Sequence, residues 1–135
     1  MSVRVRYKLE TAVSSTTAEE KDLGNRRYEV VSDGLNEGGS WKTRLLAGAT
    51  DVNLSLRDVS SARLLVVSTN TVDPNELPGT IQIKRNSTGG EVIEIVPLPS
   101  SKQGHFMITT QGLTAIYASN PGTVNMEIVL AVAGD

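Results

Sequence analysis

The stretch IYASNPGTVNMEIVLAVAG, residues 116–134, contains the two features that decide the fold of this chain. Its first part, residues 116–119, is apolar and leads into Asn-Pro-Gly, which is typical of a tight turn because proline presets φ and glycine tolerates positive φ. After the turn every second residue is apolar: Val124, Met126, Ile128, Leu130 and Val132. A period of two predicts a strand with one face in the core. We therefore interpret the stretch as two core strands joined by a tight connection.

The same alternation occurs along most of the chain. Residues 3–10 alternate apolar side chains with Arg, Arg, Lys and Glu, which predicts a half-buried strand with one charged face. Residues 64–67 form a continuous apolar run, which is typical of a central strand covered on both faces. The glycine-rich stretch 86–90 predicts a hairpin between two further strands, and we interpret Gln-Gly at 111–112 as the connection between two later ones.

The number and spacing of these segments predict the fold class. About ten short strands follow one another at spacings of about 8–12 residues, without a convincing amphipathic helix. This pattern favours an all-β, antiparallel β-sandwich, jelly-roll-like, with about 8–10 short strands. A length of 135 residues predicts one domain. Within it we expect a docking strand or arm over 1–13, a loop-rich segment over 14–40 and the core sandwich over 41–135.

Composition excludes several classes of partner and cofactor. The formal net charge of −2 provides no attraction to nucleic acid or to an anionic membrane. No apolar run approaches the roughly 18 residues that cross a bilayer. The absence of cysteine excludes disulfides, thiolate metal ligands and a cysteine nucleophile. We expect no nucleic acid, no membrane, no metal and no cofactor.

The sequence does not predict a reaction centre. His105 is the only histidine, and no Gly-x-Ser-x-Gly motif accompanies it, so we interpret it as a surface strand residue and not as a catalytic base. The carboxylates available for acid–base work are interpreted as solvated side chains on polar strand faces: Asp51, Asp58, Glu91, Glu94 and Glu127. We therefore expect that the protein is not an enzyme.

Two loop motifs have a chemical and a structural interpretation. Asp73, Asn75 and Glu76 place three oxygen ligands within four residues, as in calcium-binding loops of β-sandwiches, but turn chemistry explains Asp-Pro-Asn equally well. Asn86-Ser-Thr matches the N-glycosylation pattern, and hairpin-turn chemistry is the favoured explanation.

Cations at the start of the chain are the candidates for docking. Arg4, Arg6 and Lys8 lie on one face of the first predicted strand, where they either bind an acidic neighbour or keep an edge strand soluble by repulsion. Arg26 and Arg27 are close in sequence and complete the predicted docking set.

Residues 43–134 resemble a known class of proteins. The order TRLLAGATDVNLSLRDVSSARLLVVST, then TIQIKR, then FMITTQGLTAIYASNPGTVNMEIVLAVAG is similar to small virion structural proteins of tailed bacteriophages. In that class a strand ending in Leu-Ala-Gly precedes a short apolar strand and a central apolar strand. An Asn-Pro-Gly turn then leads into the last strand. The first 40 residues do not take part in the resemblance.

The resemblance implies a β-sandwich, often jelly-roll-like, that serves as a capsid decoration or cement protein. Such proteins are made in the host cytoplasm, are located in the virion on the capsid surface, bind the major capsid protein and commonly form homotrimers. The same class includes tail and head-spike components, which is the first alternative. A carbohydrate-binding β-sandwich module is the second, with Trp41 or Tyr117 as the stacking residue, although Trp41 is also expected to fill the core.

Overall fold

The computed structural model describes residues 3–14, 22–35, 37–99 and 101–135, with side chains for Arg6 and from residue 37 onward. The described residues form ten strands and no helix. The strands are β1 (Val3–Ser14), β2 (Asp22–Leu35), β3 (Glu37–Leu45), β4 (Val52–Leu54), β5 (Ala62–Thr71), β6 (Ile81–Arg85), β7 (Ile93–Ile95), β8 (Gly104–Leu113), β9 (Ile116–Ser119) and β10 (Met126–Gly134).

Eight of these strands form two antiparallel, four-stranded sheets. Sheet I has the order β3-β10-β5-β8, and sheet II has the order β4-β9-β6-β7. Strands β1 and β2 pair with each other in a separate two-stranded sheet, which we call the N-terminal hairpin. The predicted all-β, antiparallel class is therefore confirmed.

One hydrophobic core joins the two four-stranded sheets, which is the packing of a β-sandwich. The described residues of this core come from sheet I (Leu45, Ala62, Leu65, Val67, Leu113, Met126, Ile128, Leu130, Val132) and from sheet II (Leu54, Ile81, Ile83, Ile95, Ile116, Ala118), with Leu56 and Val59 in the β4–β5 connection. The apolar face predicted for the last strand is confirmed, because Met126, Ile128, Leu130 and Val132 are all buried.

Strand β5 is a central strand, as its apolar run predicts, but its outer face is only partly covered, because Val66 is half-buried. It lies between β10 and β8 in sheet I. Leu65 and Val67 belong to the core cluster. Leu64, which alternates with them and lies outside that cluster, is also buried.

The prediction of a loop-rich segment over 14–40 is wrong for its larger part. Strand β2 covers Asp22–Leu35, and β3 already begins at Glu37. The glycine-rich residues of β3 have low strand propensity, but β10 supplies their hydrogen-bond partners, with Gly38 opposite Ala133 and Gly39 opposite Val132. Pairing with an apolar neighbour thus overrides local preference. Residues 15–21 and 36 lie outside the described residues.

The interpretation of Gln-Gly as an interstrand connection is also wrong. Gln111 and Gly112 lie inside β8, where a register shift against β5 accommodates the positive φ of Gly112. The chain passes to β9 through residues 114–115, and β8 and β9 belong to different sheets. The predicted hairpin at 86–90, in contrast, is confirmed by the antiparallel pairing of β6 with β7.

Candidate functional surfaces

The predicted docking cations lie on the N-terminal hairpin. Arg4, Arg6 and Lys8 belong to β1, and Arg26 and Arg27 belong to β2. Pairing of the two strands therefore brings the two groups of cations into one sheet, as their proximity in sequence suggests. Arg6 is exposed, and the side chains of the other four lie outside the described residues.

The register of the hairpin places acidic residues among these cations. Lys8 is the partner of Glu29, and Arg27 is the partner of Glu10. Directly opposite residues of an antiparallel pair share a face. The hairpin therefore carries mixed charge, and a purely basic docking face is not what the register produces.

Trp41 is a residue of β3. It lies at the open side of the sandwich, where the edge strands β3 and β4 face each other. It is half-buried and packs against the core, as expected for a core-filling residue. The guanidinium carbon of Arg57 lies 4.7 Å from the centroid of its ring, within cation–π distance. Arg57 thus occupies a ring face that a sugar would need for stacking.

Two clefts flank the Trp41–Arg57 pair, and neither includes Tyr117. One, of about 180 Å³, runs along the start of β3, and the other, of about 250 Å³, lies between β3 and β4. Tyr117 is in β9, opposite Asn53 and Lys84, and alternates with the core residues Ile116 and Ala118. It therefore faces outward from sheet II. The two aromatic candidates do not form one sugar-binding cleft.

The outer face of sheet II contains a small polar cluster. Lys84 Nζ lies 3.0 Å from Asp51 Oδ1 and donates to the carbonyl of Thr88 at 2.8 Å. The backbone N–H of Asp51 donates to Ser119 Oγ at 2.8 Å. These contacts join the start of β4 to the ends of β6 and β9. The lysine is held by an ion pair and a carbonyl, so the cluster stabilises the sheet and presents no activated nucleophile.

The calcium candidates form a turn. Asp73 Oδ1 accepts a hydrogen bond from the backbone N–H of Asn75 at 2.9 Å, and the N–H of Glu76 donates to the carbonyl of Asp73 at 3.1 Å. This is the local turn chemistry that Asp-Pro-Asn favours. Within the part of the chain that the structure describes, no three His, Cys, Asp or Glu side chains are grouped to hold a metal.

Asn86 stabilises the turn after β6 through hydrogen bonds of its side chain. Its Nδ2 donates to the carbonyl of Gly112 at 2.9 Å, and its Oδ1 accepts from the N–H of Thr114 at 2.8 Å and of Ala115 at 3.3 Å. Nδ2 is the atom to which a glycan would be attached, and here it ties the β6–β7 turn to the end of β8. The geometry supports the hairpin explanation over glycosylation.

A polar cleft of about 300 Å³ lies beside this turn, and its walls offer no nucleophile paired with a base. His105 does not line this cleft; it is exposed on β8, and its Nδ1 lies 3.0 Å from Ser68 Oγ. The lining residues are Arg85, Asn86, Glu91, Thr110, Gln111 and Leu113.

Sequence reasoning missed an apolar surface at one end of the sandwich. Leu77, Val96 and Leu98 are 74%, 60% and 63% exposed, and with prolines of the same loops they line a groove of about 310 Å³. We call this surface the apolar loop patch, formed by Leu77, Pro78, Thr80, Val96, Pro97, Leu98, Pro99 and Lys102. A usable signal was present: Leu-Pro-Gly and Val-Pro-Leu-Pro place large apolar residues beside prolines, which cannot continue a sheet ladder.

Comparison with known proteins found no matching family model, no matching curated protein and no matching solved structure. None of the described residues forms a helix long and apolar enough to cross a membrane.

Proposed function

We propose that this chain is a non-enzymatic structural protein of a tailed-bacteriophage particle, which binds the outer capsid surface and stabilises the shell. The resemblance of residues 43–134 to virion structural proteins supports the class. The apolar loop patch carries the proposal, because it offers a protein-binding surface in a chain whose described clefts lack a catalytic pair. The predicted partner is the major capsid protein, and the expected form is a homotrimer on the capsid surface.

The order of strand pairing supports the jelly-roll prediction. Strand β3 pairs with β10, β4 with β9, β5 with β8, and β6 with β7. These four pairs are those of one long antiparallel ribbon folded at the β6–β7 turn. Rolling the ribbon up adds the pairs β10–β5 and β6–β9 and divides it into two sheets. A rolled ribbon closes its core without a ligand, which suits a protein that works through its surface.

Rigidity distinguishes the apolar loop patch from ordinary exposed leucines. Pro78, Pro97 and Pro99 restrict the backbone beside its large side chains. The backbone N–H of Leu98 donates to Gln103 O at 3.0 Å, and the N–H of Lys102 donates to Leu98 O at 2.9 Å, which closes the second loop on itself. A preformed loop loses little conformational entropy on binding. Each leucine buried by a partner then contributes up to about 1.5–3 kcal/mol.

Binding to undecorated shells tests the proposal. We expect saturable cosedimentation of the purified protein with shells, and an at least roughly tenfold weaker affinity for the double variant Leu77→Ser/Leu98→Ser, given what burial of two leucines contributes. Leu46→Ser is the matched control, because Leu46 is 59% exposed and outside the patch. Absence of wild-type binding at low salt contradicts the capsid proposal. Equal binding by all variants removes the patch from it.

The same binding experiment also tests the N-terminal hairpin. If the hairpin docks through charge, replacing Arg4, Arg6 and Lys8 by serine weakens binding at low salt and reduces its salt dependence. If the variant binds like wild type, the hairpin cations have no docking role. Labelled protein seen by electron microscopy on tails or spikes instead of the shell would support the tail alternative.

A further inference from the structure

The two four-stranded sheets have four edge strands, and three of them are protected against pairing with another chain. Exposed N–H and C=O groups at a sheet edge bind further strands unless the edge is short, charged or bulged. Strands β4 and β7 are three residues each. Strand β3 carries the exposed cations Lys42 and Arg44 within its last four residues. Each of these three edges therefore has a feature that disfavours pairing with another strand.

Strand β8 has no such protective feature over residues 104–109, which we call the β8 edge. It pairs in regular register with β5 from Gly104 to Thr109, and in the described chain β5 is its hydrogen-bonded neighbour on one side only. Its sequence, Gly-His-Phe-Met-Ile-Thr, contains no proline, lysine, arginine or carboxylate. The irregularity around Gly112 disturbs the strand only beyond this segment.

The β8 edge also leaves apolar side chains uncovered on both of its faces. Met107 points outward from sheet I and is 41% exposed. Phe106 and Ile108 point toward the core but are only half-buried. The opposite sheet offers only the short β7 on this side. On the other open side of the sandwich, Arg57 covers Trp41, so the two sides differ.

We propose that the β8 edge pairs antiparallel with the β8 edge of a second copy of this chain, across a two-fold axis normal to sheet I. Two such sheets would join into one eight-stranded sheet, with Met107, Phe106 and Ile108 of each copy covered by the other. Self-pairing of this edge brings no like charges together. Pairing with β3 of another copy would meet the cations that protect β3. The inference does not depend on capsid binding, and it is compatible with a trimer formed through another surface.

A charge placed on the β8 edge tests this pairing. Wild type should form dimers, or pairs of trimers, in native mass spectrometry and sedimentation over micromolar concentrations. Met107→Lys brings two cations close to the axis, so we expect a dissociation constant for this contact at least tenfold higher. Met107→Leu should retain the contact. Circular dichroism and thermal unfolding of dilute samples verify that each variant is folded.

Ser40→Lys is the matched control. Ser40 is exposed and lies in the same cross-strand row as Met107, through Ala131 and Val66, but on the opposite edge of sheet I. It should associate like wild type. If Ser40→Lys dissociates the assembly as Met107→Lys does, β8 pairs with β3 and the two-fold pairing is wrong. A wild type that stays monomeric, or an assembly that Met107→Lys leaves intact, also overturns it.

Hydrogen exchange locates the contact independently of mutation. The amides of residues 104–109 that point away from β5 should exchange rapidly at low protein concentration and become protected as the concentration rises. The same amides in Met107→Lys should remain unprotected. Concentration-dependent association that leaves these amides exchanging rapidly would place the contact elsewhere and contradict the proposal.

Discussion

The side-chain amide of Asn120 donates a hydrogen bond to the backbone carbonyl of Leu45 across 3.1 Å, in the buried interior and between residues 75 positions apart. The same Nδ2 donates to Val124 O at 2.8 Å, and Oδ1 accepts from the N–H of Gly122 at 3.1 Å. Asn120 thereby joins the end of β3 to the corner where the chain leaves β9 in sheet II and enters β10 in sheet I. One side chain thereby binds backbone polar groups of two segments, and one of these groups, the carbonyl of Leu45, lies in the buried interior.

Replacing Asn120 by alanine should destabilise the fold strongly. The variant loses three side-chain hydrogen bonds and leaves the carbonyl of Leu45 without this donor, so we expect a loss of about 2–4 kcal/mol in the free energy of unfolding. Urea unfolding measures it. Asn53→Ala, at an exposed position of β4, should change stability by less than about 0.5 kcal/mol. Equal effects of the two substitutions would contradict the role of Asn120.

Replacing Thr69 by valine should stabilise the protein. Thr69 Oγ1 is buried and, within the described structure, has no hydrogen-bond partner. Valine has nearly the same shape without the hydroxyl, so we expect a gain of about 1 kcal/mol. Thr69→Ser keeps the hydroxyl and loses the methyl group, and should cost about 1 kcal/mol. If the denaturant dependence of the unfolding free energy is the same for both variants, their urea midpoints should move in opposite directions from wild type. A valine variant less stable than wild type would contradict the argument.

The Asp51–Lys84 ion pair should contribute more than the Lys42–Glu127 pair. Lys84 and Asp51 are 21% and 28% exposed and lie 3.0 Å apart, whereas Lys42 is 70% exposed and lies 3.7 Å from Glu127. We expect Lys84→Gln to lower stability by about 1 kcal/mol, and Lys42→Gln by less than about 0.5 kcal/mol.

Salt concentration checks the origin of this difference. Added salt should reduce the difference in unfolding free energy between Lys84→Gln and wild type only partly. A half-buried ion pair is less screened than an exposed one, and the variant also loses the hydrogen bond from Lys84 to the carbonyl of Thr88, which does not depend on the pair. If the lysine variants are equally stable at low salt, burial of the pair has no measurable effect.

Removing the Arg57 side chain should expose the only tryptophan. Arg57→Ala takes away the guanidinium above the Trp41 ring, so we expect red-shifted fluorescence, stronger quenching by acrylamide and a loss of about 0.5–1 kcal/mol. Arg44→Ala, at an exposed position of β3, should leave the spectrum unchanged. A sugar-dependent fluorescence change in wild type would support the carbohydrate alternative. An unchanged spectrum of Arg57→Ala would show that the cation does not cover the ring.

The sequence predicted the strands whose burial is strongest. The alternation from Met126 to Val132 predicted the core face of β10, and the continuous apolar run at 64–67 predicted that β5 is a central strand, because buried positions are occupied by apolar side chains. The hairpin at 86–90 was also predictable from local sequence, because glycines are favoured in the tight connections between paired strands.

Prediction failed where partners distant in sequence decide the conformation. The glycines of β3 extend because β10 pairs with them, and Gln111-Gly112 continues β8 because β5 holds that strand on both sides of the irregularity. The surroundings of a candidate residue were not predictable for the same reason: Arg57, sixteen positions after Trp41 in sequence, lies against its ring. The β8 edge is likewise visible only once the strands are ordered, and so is the meeting of the two loops of the apolar loop patch, although the sequence marks each loop by itself.

The sequence alone determined the all-β class, the apolar face of the last strand and the lack of cysteine chemistry, because each depends on side-chain type and spacing along the chain. Only the tertiary structure decided which strands lie at the edges, that Asn120 reaches Leu45 and that Leu77 lies beside Leu98. These relationships arise when the two sheets close on one core, and closure brings together residues whose separation in sequence carries no information about their contact.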